Sequence, residues 1–89
     1  MLQPPLVYVG GMAKISVDFS TSLAKVIKKH REQKGMSLAK LAELSGTTQT
    51  YPGRVEKGER VPTVNVVYAF AQALSVPLWK LIREAEKLK

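Results

Sequence analysis

Where the helix breakers fall constrains this chain more than anything else in it. Gly35, Gly46, Gly58, Pro62 and Pro77 punctuate residues 18–89, and the apolar residues between them recur at helical spacing. A chain cut this way builds short helices joined by tight loops. The first is expected over about Thr21 to Lys34, with Ser20 or Thr21 as N-cap and Leu23, Val26, Ile27 and His30 on its inner face. Ser37 caps a second helix carrying Leu38, Leu41, Ala42 and Leu44, which Ser45-Gly46 ends. Thr48 is read as the cap of a third, about 48–57, closed by Gly58. Thr63 caps a fourth, and Pro77 opens a last helix over about 77–88.

This pattern predicts an all-α, compact five-helix bundle over residues 18–89, with a tight glycine turn between its second and third helices. Residues 1–17 read as a flexible arm. Pro4-Pro5 and Gly10-Gly11 bar a helix there, and Leu6 to Val9 becomes a strand only if something pairs with it. The absence of cysteine removes disulfides and thiolate sites, so the fold stands on packing alone. No stretch approaches the ~20 apolar residues that a bilayer span needs. The expectation is a cytoplasmic chain with no membrane role.

Charge narrows the function classes. Lys and Arg number 14 against 7 Asp and Glu, a formal +7, which suits a polyanionic partner or simply keeps a small domain in solution. Its distribution is uneven. Lys25, Lys28, Lys29, Arg31 and Lys34 face only Glu32 in the first helix, whereas Val61 to Trp79 contains no charged residue.

Enzyme chemistry finds no support. His30 is the only histidine and sits on the apolar side of its helix, where a packed, hydrogen-bonded role is the ordinary one. The carboxylates are scattered over charged faces, and no phosphate-binding glycine loop or metal set is present, so neither a metal nor another cofactor is expected.

Residues Leu23 to Ile82 resemble the lambda-repressor-like helix-turn-helix domains, the Cro/CI-type or XRE-like family. The resemblance rests on Ile27-Lys28-Lys29-His30-Arg31-Glu32-Gln33-Lys34-Gly35-Met36-Ser37, on Leu41-Ala42-Glu43-Leu44-Ser45-Gly46, on Arg54-Val55-Glu56-Lys57-Gly58-Glu59-Arg60-Val61-Pro62, and on Ala69 to Val76, in that order. It implies a sequence-specific double-stranded DNA binder, a transcriptional regulator of the repressor class, acting as a homodimer. By position Gln49, Thr50 and Arg54 are the candidates for base contact, and Ser37, Lys40, Thr48, Lys57 and Arg60 for phosphate. The resemblance also implies an internal ion pair between Arg31 and Glu56. The stripe Leu78, Leu81, Ile82, Ala85 and Leu88 is read as the dimer contact, against the plainer reading of core packing.

Pro52-Gly53 departs from this pattern, standing where the family has an aliphatic residue followed by Ser. With Thr48 as cap, Pro52 deletes the first internal hydrogen bond, so the expected outcome is a distorted first turn or a helix that starts late, near Pro52 itself. Thr47 and Leu38 depart too, Leu38 standing where many members carry a phosphate-gripping Gln. These departures support an alternative function: a protein-interaction module, or an antitoxin-like partner for another protein, that keeps the fold and reads DNA weakly.

Overall fold

A computed structural model of the chain describes residues 8–9, 12–13 and 17–88. Five helices follow one another: α1 (Val17–Gln33), α2 (Leu38–Ser45), α3 (Tyr51–Glu56), α4 (Val64–Leu74) and α5 (Leu78–Lys87). Ahead of them β1 (Tyr8–Val9) and β2 (Met12–Ala13) pair antiparallel, with Tyr8 opposite Ala13 and Val9 opposite Met12. Tyr8 and Val9 of the arm's apolar run thus find a partner in the segment that follows them. The flexibility expected for the rest of residues 1–17, Leu6 and Val7 included, falls outside the described residues up to 16.

Local signals account for most of the boundaries. The Ser37 Oγ accepts from the Lys40 N–H at 3.0 Å, and the Thr63 Oγ1 from the Val66 N–H at 3.2 Å, so both caps satisfy an N–H that the helix itself leaves over. Gly46 and Gly58 adopt the left-handed conformation that ends α2 and α3. The start of α1 differs from expectation: it begins at Val17, so Ser20 and Thr21 lie inside the helix. The extra turn carries Phe19 onto the core, and that burial outweighs a capping preference.

Phe70 and Leu74 of α4 sit at the centre with Ile27, Leu41, Val55 and Leu81, all essentially closed to solvent. The uncharged segment of the sequence therefore supplies the central strut. Leu81 and Ala85 are both 0% exposed, which corrects the dimer reading of α5: these two residues pack inside their own domain and have no surface to offer a partner. Leu78 and Ile82 are half-buried, and Leu88 is exposed.

The α1 to α5 packing ends in a polar clasp. Glu84 Oε1 accepts from His30 Nε2 at 2.8 Å and from Lys29 Nζ at 3.1 Å. Hydrogen bonding from His30, then from Lys29, holds the Glu84 carboxyl below its ordinary value against the opposing effect of burial. A depressed carboxylate contributes stability that is complete above its unfolded value and is lost as pH falls through the folded one. Wild-type stability should therefore fall on acidification below about pH 4.5, the ordinary value, and Glu84→Gln should flatten that limb. The clasp is partly exposed, so the difference should stay under about 1 kcal/mol by urea denaturation. Identical acid limbs for the two proteins would refute the assignment.

Candidate nucleic-acid interface

The candidate surface is built around the turn between α2 and α3. Gly46, at φ 76°, lets the Thr47 N–H return to the Ala42 carbonyl at 3.1 Å, which closes α2 and reverses the chain. Thr47, unexpected here in place of an apolar residue, has its hydroxyl engaged: Ser45 Oγ lies at 3.3 Å, and the Thr48 carbonyl accepts at 3.3 Å. A polar residue is thereby accommodated without an orphaned group.

The third helix is shorter than residues 48–57. It starts at Tyr51, so Thr48 is not its cap, and Thr50 in the N-cap position makes no side-chain capping bond. Residues before it form a turn in which the Tyr51 N–H reaches the Thr48 carbonyl at 3.1 Å. Pro52 explains the shift. A helix from Thr48 would require the N–H that proline lacks, whereas in the first turn of a helix from Tyr51 that N–H has no internal partner in any residue type. Of the two outcomes expected from Pro52, the late start is the one observed. The ring is also nearly closed to solvent, filling the apolar site beside Val55. Tyr51 completes this inner face, its ring centroid 6.3 Å from that of Phe70.

With Tyr51, Pro52 and Val55 turned inward, Thr50, Gly53, Arg54 and Lys57 share the outer stripe by helical spacing. One concavity is lined by Gln49, Thr50, Gly53, Arg54 and Lys57 together with Leu38 and Glu59. An adjoining one holds Ser37, Lys40 and, again, Gln49. The structure therefore brings together Gln49, Thr50, Arg54 and Lys57, with Ser37 and Lys40 next to them. Thr48 and Arg60 are exposed but line neither concavity. Sequence reasoning singled out Leu38 and Gly53 as departures at this face but did not assign Glu59 to it. Leu38 belongs both to the apolar pattern of α2 and to the position of a phosphate-gripping Gln, and the structure places it at the solvent end of the helix.

Arg31 and Glu56 fix this face to the domain. Arg31 Nε donates to Glu56 Oε2 at 2.7 Å and Nη2 to Oε1 at 3.0 Å, a bidentate pair, while Nη1 donates to the Met36 carbonyl at 2.8 Å. Only 12% of the Arg31 side chain and 7% of the Glu56 side chain remain exposed. The Glu56 carboxylate holds the guanidinium above its ordinary value, chiefly by hydrogen bonding, against the effect of burial. The end of α3, the end of α1 and the loop into α2 are thus tied at one point, and Arg31 is withdrawn from the surface charge. Lys25, Lys28 and Lys29 stay on the outer face of α1. Among the described residues no cluster of His, Cys, Asp or Glu is arranged to hold a metal ion, and no helix is long and apolar enough to cross a membrane.

Comparison with known proteins matches residues 27–78 to the helix-turn-helix family. The chain is similar to the HTH-type transcriptional regulator SutR of Escherichia coli (strain K12), at 38% identity over 55 residues, covering 62% of this chain and 31% of that protein. It is similar to the control protein C.SmaI of Serratia marcescens, at 35% identity over 66 residues, covering 74% of this chain and 79% of the relative. Among solved structures, the restriction-modification controller protein C.AhdI from Aeromonas hydrophila superposes with a TM-score of 0.67 at 31% identity, over 70% of this chain and 94% of that one.

Proposed function

Since this chain belongs to the helix-turn-helix family of Cro/CI-type, non-enzymatic DNA-binding transcriptional regulators, with the family's five-helix lambda-repressor-like fold, we propose that it is a homodimeric repressor that reads one duplex operator through the face of α3. The observation that carries this reading is the convergence of Gln49, Thr50 and Arg54 in one concavity, with Lys57 beside them and the capped start of α2 adjacent. A Gln amide pairs with adenine and a guanidinium with guanine, and Thr supplies a hydroxyl or a methyl. Ser37, Lys40 and Lys57 hold the flanking phosphates, with Thr48 and Arg60 further out on the same backbone path. Repression then follows from occupancy of the operator, in the cytoplasm where the DNA lies.

Dimerisation sets two such faces about one helical turn, ~34 Å, apart on a palindromic site. Of the α5 stripe, half-buried Leu78 and Ile82 line an apolar groove with Phe19, Leu23, Val61, Pro62 and Val64, while exposed Leu88 lies outside that groove. Val64 is 75% exposed and Val61 67%, an apolar rim that a second copy would cover. The alternative, an interaction module or antitoxin-like partner that reads DNA weakly, rests on the departures at Pro52-Gly53, Thr47 and Leu38; a first-turn proline that shortens α3 without interrupting it, and a Thr47 hydroxyl that is engaged within the turn, favour the first reading.

A salt titration on a site selected from random duplexes tests the reading. Log affinity should fall steeply with log salt, at ~0.9 per phosphate neutralised. Arg54→Ala should weaken the selected site by about 5- to 150-fold, the ~1–3 kcal/mol of a bidentate base contact, and relax the preference at one base position. Weak binding with no preferred site would refute DNA reading. Sedimentation of Val64→Glu addresses the dimer, which this substitution should dissociate.

A further inference from the structure

A half-exposed leucine stands on the face just described. Leu38, the first residue of α2, is 36% exposed and lines the same concavity as Gln49, Thr50 and Arg54. Gly53 lies beside it, and the backbone does not require that glycine. Gly35, Gly46 and Gly58 have positive φ, whereas Gly53 does not. A methyl group built on it would meet only Leu38 Cδ1, at 3.5 Å, an ordinary contact. Apart from proline, glycine is the poorest residue for a helix interior, so the fold gains nothing from the missing methyl. What the absence leaves is open space beside the methyl groups of Leu38, ringed by an amide, a hydroxyl and a guanidinium.

We propose that Leu38 and Gly53 form a notch for the 5-methyl group of a pyrimidine, carried by thymine in unmodified DNA, at an operator position next to those contacted by Gln49 and Arg54. The proposal rests on the reading of this face as the DNA contact. In the major groove thymine presents its O4 acceptor and its methyl side by side, and cytosine lacks the methyl. A surface that offers polar partners around one apolar recess distinguishes the two. Placing one methyl in such a recess is worth about fourfold in affinity, the burial of a single methylene-sized group.

The test uses the full chain and its selected operator. Each thymine is replaced in turn by uracil, which removes the methyl and keeps every hydrogen-bonding group. The wild type should lose about fourfold at one position in each half-site. Leu38→Ala and Gly53→Ala should bind thymine and uracil operators equally at that position, the first because the apolar wall is gone and the second because its own methyl fills the recess. Far-ultraviolet circular dichroism and a cooperative urea transition for each variant show that both remain folded. A second arm places 5-methylcytosine or cytosine at the same position; a gain with methylation that disappears in Leu38→Ala identifies the same recess. If the wild type tolerates uracil everywhere, or if Leu38→Ala keeps the full loss, the notch is wrong while DNA reading stands. Failure to select any site would overturn DNA reading itself, and the notch with it.

Discussion

Replacing Glu56 with alanine should lower the stability of the domain by about 3–5 kcal/mol, the cost of stranding one member of a buried ion pair. In a domain of this size that corresponds to a fall in Tm on the order of 15–30 °C. Arg31 would keep its bond to the Met36 carbonyl but lose both carboxylate oxygens while only 12% of its side chain faces solvent. Removing both partners should cost much less than the two single losses together, because no unpaired charge is then left behind. Urea denaturation of wild type, Arg31→Ala, Glu56→Ala and the double variant completes the cycle. A coupling below about 0.5 kcal/mol would show that the pair acts no differently from an exposed one. The pair also bears on DNA reading. It anchors the end of α3, so specific affinity should fall in Glu56→Ala even at temperatures where the variant is fully folded.

The second large effect is expected at Leu81. Leu81→Ala should cost about 2–5 kcal/mol, since the side chain is wholly enclosed in the core cluster where α5 packs on α1 and α4, and its removal leaves a cavity there. This loss belongs to the single domain. It should be the same across a wide range of protein concentration, and the self-association of the folded variant should match that of wild type. Val64→Glu should do the reverse, changing association with little effect on the folding of the monomer, because Val64 is three-quarters exposed. If Leu81→Ala instead dissociated a dimer and left unfolding unchanged, the placement of Leu81 in the core would be wrong.

These outcomes also separate what is local from what is not. The number of helices, the order of their breakers and the caps at Ser37 and Thr63 could be read directly, because a cap or a glycine stop is decided by its immediate neighbours. That Gln49, Thr50 and Arg54 lie together on one face was legible through resemblance and relative spacing along one short segment. The pairing of Arg31 with Glu56 has no local signature, since 25 residues separate the two, and it entered only through the family pattern. The partner of His30 was not legible at all: Glu84 lies on the last helix, and its distance from His30 depends on how α1 packs on α5.

By itself the sequence determined five short helices, a basic surface, a helix-turn-helix order and the absence of a cysteine-based site, because each follows from residue type and spacing within a turn or two. Only the tertiary structure decided where α3 begins, which residues of α5 belong to the core and which side of Leu38 meets solvent. Pro52 illustrates the reason. Its missing N–H excludes one helix start, but the start at Tyr51 is held by the burial of Tyr51, Pro52 and Val55 against helices far away in the chain. The same holds for α5, where a single apolar stripe divides into buried Leu81 and Ala85 and exposed Leu88 according to how much of it α1 and α4 can cover.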